Sequence, residues 1–317
     1  MRYRCAAAVA ILILASGLLA RKKNPDDVTQ TLELPKDPPM VALGETSRLT
    51  FQVSPLSGKG LLSQQTRDAL KAILKLNGGT PVIHVRAFVA GSGDLRRVPQ
   101  IVSEVFREKK MELPSVSVIQ AGGLPLENAQ VVLETVSVSK KDINPDGLTF
   151  IEAQAAPTLE KSLDAVAARI AGATVVRVSC FLGSIGSAGA IITRFPSAAV
   201  DLVQPQREPA RAEANCEAVA RGGNIRAGKL AFTGTRVAFG ADEKAAALAF
   251  QRLDKDLFDS GIQPADILAT TIYPLSARGG DLARKLRSTS GPVTVIPVEG
   301  IASVEGSFAV DVMASAK

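Results

Sequence analysis

Three acidic residues recur at matching places in the chain and are its clearest candidates for chemistry. Each lies in a short apolar stretch and follows a proline at a nearly constant distance, of 20, 21 and 19 positions. The acids are Glu134, Glu217 and Asp311, counted from Pro114, Pro196 and Pro292. A carboxylate beside a partly dry cleft can do general acid–base catalysis. The competing interpretation is an acid at a solvent-exposed strand end, because charged side chains usually lie at the surface.

Other reactive residue types are scarce. The one histidine, His84, begins a predicted strand without a visible catalytic partner, and no paired-cysteine motif is present. No phosphate-binding glycine loop or nucleophile elbow occurs either. Cys180 and Cys216 lie in predicted strands, where we favour buried free cysteines over a disulfide. We therefore expect no metal and no cofactor.

The composition argues against a nucleic-acid partner. The net charge of +6 is spread along the chain, tryptophan is absent, and aromatic residues make up only 4%. Nucleic-acid-binding proteins usually concentrate their basic charge on one face or supply aromatic side chains on which bases stack. Neither pattern is visible here, so we expect a different kind of ligand.

The recurring acids belong to a larger repeat. Three similar tripeptides each open a segment that reads strand, helix, strand, helix, strand, strand: Leu49-Thr50-Phe51, Leu148-Thr149-Phe150 and Leu230-Ala231-Phe232. In every segment an amphipathic helix stops at a glycine and an apolar strand follows. That strand carries an aromatic residue in each case, which is Phe88, Phe181 or Tyr273. Self-similarity at a long period indicates three folding units.

We expect unit 1 over residues 40–140, unit 2 over 141–222 and unit 3 over 223–317. The stretches 139–147 and 221–228 are rich in turn-forming residues and fit surface linkers. Unit 2 is degenerate, because Gly186 and Gly189 interrupt its second helix.

The N-terminal residues have the layout of a secretory signal. A basic head is followed by an apolar run ending near residue 20, which is short for a membrane span. We therefore expect export to the periplasm or the medium, with residues 21–39 as a tether. The alternative is a membrane anchor, because Arg21-Lys22-Lys23 directly follows the apolar run.

Unit 3 carries the clearest resemblance to a known family. Its Phe232-Thr233-Gly234-Thr235 turn, the helix predicted over 245–257 and the strand predicted over 267–275 resemble the Rid family, the YjgF-type reactive-intermediate deaminases. The resemblance implies an α+β fold, an α/β sandwich built from chorismate-mutase-like β-α-β-α-β-β units. Family members are typically homotrimers with a ligand cleft at each subunit boundary. Three units in one chain therefore imply a single-chain pseudo-trimer that is monomeric in solution.

The resemblance also implies site residues. In deaminating members an arginine two positions after the strand-opening proline holds the ligand carboxylate, a task suited to its planar fork. The matching residues here are Val116, Ala198 and Thr294, so all three units lack this arginine. The family's last-strand acid, which positions or activates water, matches Glu134, Glu217 and Asp311. Arg86 and Arg177 lie on central strands, where we favour surface ion pairs over replacement of the missing arginine.

A cleft at a unit boundary would be bordered by Thr233 and Gly234 of the turn and by Thr294. Phe88 and Tyr273 are further ligand-binding candidates, although they are most simply explained as core residues.

Two functions follow as hypotheses. The first is an exported Rid-like protein without imine deaminase activity, which binds a small metabolite between units or acts as an interaction module. The alternative is an imine or enamine deaminase, a hydrolase that uses one of the last-strand carboxylates. The missing arginines favour the first hypothesis, and whether the protein is an enzyme stays open.

Overall fold

The computed structural model describes residues 41–45, 49–91, 95–138, 148–170, 172–186, 188–207, 212–221, 229–287 and 291–316. The predicted signal or anchor and the tether lie outside the described residues, as does the predicted linker over 139–147. Within the described ranges, no helix has the length and apolar character needed to span a membrane.

Each predicted unit contains the predicted order of elements, after a short first strand, β1 (Val41–Glu45). Unit 1 comprises β2 (Leu49–Val53), α1 (Leu62–Leu76), β3 (Val82–Ala90), α2 (Arg97–Glu108), β4 (Ser115–Ala121) and β5 (Val131–Val138). Unit 2 comprises β6 (Leu148–Ala156), α3 (Leu159–Arg169), β7 (Thr174–Leu182), α4 (Ala188–Arg194), β8 (Ala199–Pro205) and β9 (Ala214–Arg221). Unit 3 comprises β10 (Lys229–Thr233), β11 (Arg236–Phe239), α5 (Glu243–Asp259), β12 (Ile267–Pro274), α6 (Ala277–Leu286), β13 (Val293–Val295), β14 (Val298–Ile301) and β15 (Gly306–Ala316).

The three units share one sheet topology. In each, the opening strand pairs with the last strand, the last strand with the central strand, and the central strand with the third. The first two pairings are antiparallel and the third is parallel. Two strands cross between units, because β1 extends the sheet of unit 3 at β10 and β14 extends the sheet of unit 2 at β8. The described chain is thus an α+β arrangement of three mixed sheets with six α-helices.

The first helix of every unit ends where the sequence predicts. The glycine that follows α1, α3 and α5 has a positive φ of 61°, 83° and 75° respectively, at Gly78, Gly172 and Gly261. This left-handed conformation closes the helix and is most easily adopted by glycine. Side-chain caps open two of these helices, with Thr158 accepting a hydrogen bond from the Lys161 amide and Asp242 from the Ala245 amide.

Helices cover one face of each sheet, so every unit has a core of its own. Buried residues in these three cores include Leu70 and Ile101 in unit 1, Leu163 and Ile191 in unit 2, and Phe250 and Leu253 in unit 3. The helical spacing of apolar residues accounts for this burial.

The opposite faces of the three sheets meet in a shared core that no unit could form alone. One part, the leucine cluster, unites residues from equivalent opening strands, Leu49, Leu148 and Leu230. The other part, the aromatic cluster, unites Phe88, Phe181 and Tyr273, all three almost completely buried. The rings of Phe88 and Phe181 meet edge to face with centroids 5.9 Å apart. Burial on both faces explains why the central strands are apolar at nearly every position.

The expectation of free cysteines is wrong. Cys180 on β7 and Cys216 on β9 lie directly opposite each other in the antiparallel register, with Cα atoms 4.1 Å apart, and form a disulfide. The proximity depends on strand pairing between residues 36 positions apart, which the spacing of cysteines in the sequence does not reveal.

Because the three units already pack against one another within one chain, we expect the full chain to be a monomer. Sedimentation velocity across a range of protein concentrations should give the mass of one chain throughout. An obligate trimer of full chains would contradict this arrangement.

Candidate functional site

A layer of charged residues separates the leucine cluster from the aromatic cluster. On β5 the residues Val132, Glu134 and Val136 face the same side of the sheet and belong in turn to the aromatic cluster, the charged layer and the leucine cluster. Asp311 on β15 has the corresponding place between Ala309 and Met313. The sequence-predicted acids are therefore brought to the boundaries between units.

Arg86 of β3 connects unit 1 to unit 2. Its Nε donates to Glu134 Oε2 at 2.6 Å within unit 1, and its Nη1 donates to Glu217 Oε1 at 2.9 Å in unit 2. Arg86 is 6% exposed and Glu217 is 7% exposed. Both edges of the guanidinium group are thus occupied by carboxylates in a largely desolvated setting.

Arg177 of β7 connects unit 2 to unit 3 in the same manner. Its Nε donates to Asp201 Oδ2 at 2.6 Å, and its Nη2 donates to Asp311 Oδ1 at 2.9 Å in the next unit. The Ser179 hydroxyl also donates to Asp201 Oδ2, at 2.7 Å. All four side chains are almost completely buried.

These contacts correct two expectations. Arg86 and Arg177 do not form surface ion pairs, and Glu217 and Asp311 do not face solvent at strand ends. An arginine within an apolar strand that is covered on both faces must have a buried acidic partner, because an unpaired buried charge is strongly unfavourable. That signal, together with Asp201 within the apolar strand β8, could have identified the network from the sequence.

Strand register shows that the two arginines are not equivalent. The residues that pair with the three last-strand acids are Arg86, Ser179 and Thr271. Arg177 lies two residues earlier on its strand, at the place held by His84 in unit 1 and by Ala269 in unit 3. Units 1 and 2 thus bridge to the next unit from different positions.

Strand register also corrects which residues of units 1 and 2 occupy the position of the family's arginine. Thr294 pairs with Thr271, and the residues in the same place are Ser117 in unit 1 and Asp201 in unit 2. Val116 and Ala198 are therefore not the equivalent positions. None of the three equivalent residues is an arginine, so the conclusion drawn from the sequence is unchanged.

The remaining predicted site residues are all buried inside the protein. Thr233 is fully buried, and its hydroxyl accepts a hydrogen bond from the Val312 amide at 2.9 Å. Gly234 packs so closely on unit 2 that a Cβ atom there would lie 2.6 Å from the Val200 carbonyl oxygen. Phe88 and Tyr273 lie in the aromatic cluster, and Thr294 is buried beside β12. Gly234, Phe88 and Tyr273 thus contact another unit, and none of the five residues lines the cleft at which the three units meet.

A narrow cleft opens where the three units meet below the charged layer. Its cavity volume is about 40 Å³, taken as the space open to the centre of a water molecule, within about 570 Å³ of unfilled space that includes open solvent. Its apolar walls include Phe51, Phe150 and Met313, and its polar groups include Arg86 and Glu217 of the charged layer. The cleft therefore suits a small or flat molecule.

Ala269 explains where the cleft opens. In unit 1 the equivalent His84 stacks on Phe150 of unit 2, with ring centroids 5.3 Å apart. Phe51 is the unit 1 residue equivalent to Phe150, and it lies beside Ala269 of unit 3 along the cleft. A methyl group cannot fill the space that an imidazole fills at the neighbouring boundary, so room remains.

Burial sets the ionisation of the charged layer. The pKa of His84 falls from 6.5 to about 4, because burial disfavours the imidazolium more strongly than Glu217 stabilises it. The pKa of Glu217 is lowered although burial acts to raise it, because the Arg86 guanidinium favours the carboxylate. Burial raises the pKa of Asp311 to about 7, an effect that Arg177 opposes and Asp201 reinforces. Four carboxyl groups thus face two guanidinium groups, so acidic groups outnumber basic groups in the layer.

The described residues contain no group of three or more histidine, cysteine, aspartate or glutamate side chains arranged to hold a metal ion.

Comparison with known proteins supports the three-unit arrangement. No family model and no curated protein matches the chain. Among solved structures, a chorismatase superposes with a TM-score of 0.53 at 10% identity, over 85% of this chain and 99% of its own. A cyanuric acid hydrolase from A. caulinodans gives a TM-score of 0.50 with the same identity and coverage. At this identity the likeness concerns the fold alone.

Proteins of the YjgF/Rid family also match, over less than a third of the chain. A member of the YjgF protein family from Neisseria meningitidis matches 28% of this chain and 85% of its own at 18% identity, with a TM-score of 0.24. Escherichia coli TdcF with bound serine matches 30% of this chain and 83% of its own at 18% identity, with a TM-score of 0.27.

The raised pKa of Asp311 predicts a pH effect on stability. Native Asp311 holds its proton up to about pH 7, whereas the unfolded chain releases it near 3.8, so Asp311 makes the native state less stable as pH rises between these values. In an Asp311→Asn variant this contribution is absent. Urea unfolding at pH 4.5, 6 and 7.5 should show wild type losing stability relative to the variant, by an amount on the order of a few kcal/mol.

The amide can still accept the Arg177 hydrogen bond, and the opposite slope from His84 is common to both proteins. Parallel stability profiles for wild type and variant would contradict the assignment.

Proposed function

We propose that this protein is a single-chain pseudo-trimer of Rid-like units that binds a small molecule at a unit boundary and does not hydrolyse imino acids. The observation that carries the proposal is the engagement of Arg86 and Arg177 by carboxylates. The family resemblance supplies the idea of three units with clefts between them, and the two solved structures that match nearly the whole chain are consistent with it.

Recognition of an imino acid requires a cationic group that is free to receive its carboxylate. Arg86 is the arginine of unit 1 that borders the cleft, but its Nε and Nη1 already donate to Glu134 and Glu217. Withdrawing the guanidinium group would leave two buried carboxylates without a partner, which costs roughly 3–5 kcal/mol for a buried pair. A carboxylate ligand would also meet a layer in which acidic groups outnumber basic groups, so the cleft is poorly suited to anionic substrates.

The cleft nevertheless has features of a binding site. It combines aromatic and aliphatic walls with a buried carboxylate oxygen, Glu217 Oε2, that accepts no hydrogen bond from the described residues. Buried polar atoms without partners are unfavourable, and a ligand or water that satisfies them stabilises the folded protein.

A second candidate function is hydrolysis, with a last-strand carboxylate as the acid or base. Asp311 supports it, because a pKa of about 7 suits proton transfer at neutral pH. The solved neighbours include a protein named as a hydrolase, although that analogy rests on fold alone. Asp311 is 1% exposed and does not line the cleft, so a substrate could reach it only if the boundary between units 2 and 3 opened. We rank this function second.

Export remains part of the proposal. The N-terminal sequence has the layout of a secretory signal, and the Cys180–Cys216 disulfide is of the kind that persists in an oxidising compartment. Both observations are consistent with a periplasmic or secreted protein.

The proposal predicts the outcome of a deaminase assay. With 2-iminopropionate generated in situ, the full chain should not accelerate hydrolysis above the buffer rate, because no free guanidinium group receives the carboxylate. An active Rid deaminase in the same assay confirms that the intermediate is being formed. Acceleration that is lost in Glu134→Gln, Glu217→Gln or Asp311→Asn would instead establish the hydrolase and overturn the proposal.

A further inference from the structure

A buried carboxylate oxygen without a hydrogen-bond partner lies at the polar end of the cleft beside Ala269. This atom is Glu217 Oε2, and no donor among the described residues meets it at hydrogen-bond distance and angle. Glu217 is 7% exposed, so water reaches it poorly. A ligand that satisfies this oxygen has to be a hydrogen-bond donor.

The charges around the cleft also favour a positively charged donor. The two arginines that line the cleft, Arg86 and Arg177, are both already paired with carboxylates, and Arg86 bridges Glu134 and Glu217. His84 lies 3.9 Å from Glu217 Oε2, measured from its Nε2, and is neutral in this buried position. The second oxygen of Glu217 therefore carries negative charge that the described neighbours only partly offset. A positively charged donor would complete the pairing.

The walls of the cleft favour an organic cation over a hydrated inorganic ion. Phe51 and Phe150 lie along it, and aromatic faces attract ammonium groups through their quadrupole. Met313 and Val53 add apolar contact for a short hydrocarbon chain. Among the described residues no third or fourth carboxylate or imidazole is arranged with Glu217 as a metal-ion site would require.

We propose that the cleft beside Ala269 binds a small organic cation, an alkylammonium group whose nitrogen donates to Glu217 and whose short apolar chain lies between Phe51 and Phe150. This inference rests on the proposed binding function and names its ligand class. It also explains why the unit 3 position holds alanine where the other units hold His84 and Arg177, because a larger residue would occupy the ligand's place.

Three probes of matched size test the inference on the full chain. Propylammonium, propionamide and propionate have similar shapes but carry positive, neutral and negative charge at pH 7. Titration calorimetry at fixed ionic strength should detect saturable binding of propylammonium and none of propionate. Glu217→Gln should weaken propylammonium binding about tenfold or more, because a charge-assisted hydrogen bond becomes a neutral one. Glu305→Gln removes the same charge from an exposed turn and should leave binding unchanged.

A second variant tests the same site independently, in case Glu217→Gln disturbs folding. Ala269→Leu fills the cleft with an apolar side chain and leaves every charged group in place, so it should abolish propylammonium binding while the protein stays folded. Propylammonium binding that survives in Ala269→Leu places the cation elsewhere and overturns the inference. Preferential binding of propionate or propionamide that Ala269→Leu abolishes overturns the ligand class but leaves the binding function standing. Failure of all three probes to bind overturns both.

Discussion

Two buried arginine bridges hold the three units in their mutual arrangement. Arg86 joins unit 1 to Glu217 of unit 2, and Arg177 joins unit 2 to Asp311 of unit 3. Desolvating these groups is unfavourable, and only the short, directional contacts with two carboxylates each make it tolerable. Small displacements between units would break these contacts. The bridges therefore restrict how the leucine and aromatic clusters above and below them can pack, which is a specificity role more than a source of net stability.

The third boundary, between units 3 and 1, is built differently. Unit 3 has Ala269 and Thr271 where unit 1 has His84 and Arg86, so its central strand offers no cation to the acid of unit 1, and Glu134 turns to Arg86 of its own unit. The strand β12 still lies against β2 there. Small side chains at this boundary leave the cleft, which lies next to the charged layer. Two boundaries are thus bridged by a buried arginine, whereas the third contains an open cleft.

Much of the fold follows from sequence pattern, whereas the site depends on pairing register. The apolar central strands, the glycine helix stops and the threefold recurrence of an acid are local signals, and the structure confirms the element order that they predict. The partners of Arg86 and Arg177 lie 131 and 134 positions away in the next unit. Helical or strand periodicity contains no information about such contacts. The disulfide could not be predicted from sequence either, because Cys180 and Cys216 become neighbours only through the register of β7 and β9.

Arg86 is the bridge between units 1 and 2, and a double-mutant cycle with Glu217 measures its strength directly. The free energy of unfolding would be determined for wild type, Arg86→Met, Glu217→Gln and the double variant. We expect each single variant to be strongly destabilised by its unpaired partner and the double variant to recover part of the loss, giving a coupling of about 1.5–3 kcal/mol. Additive effects, with a coupling below about 0.5 kcal/mol, would show that the pair does not bridge the units and would return Arg86 to consideration as a ligand-binding arginine.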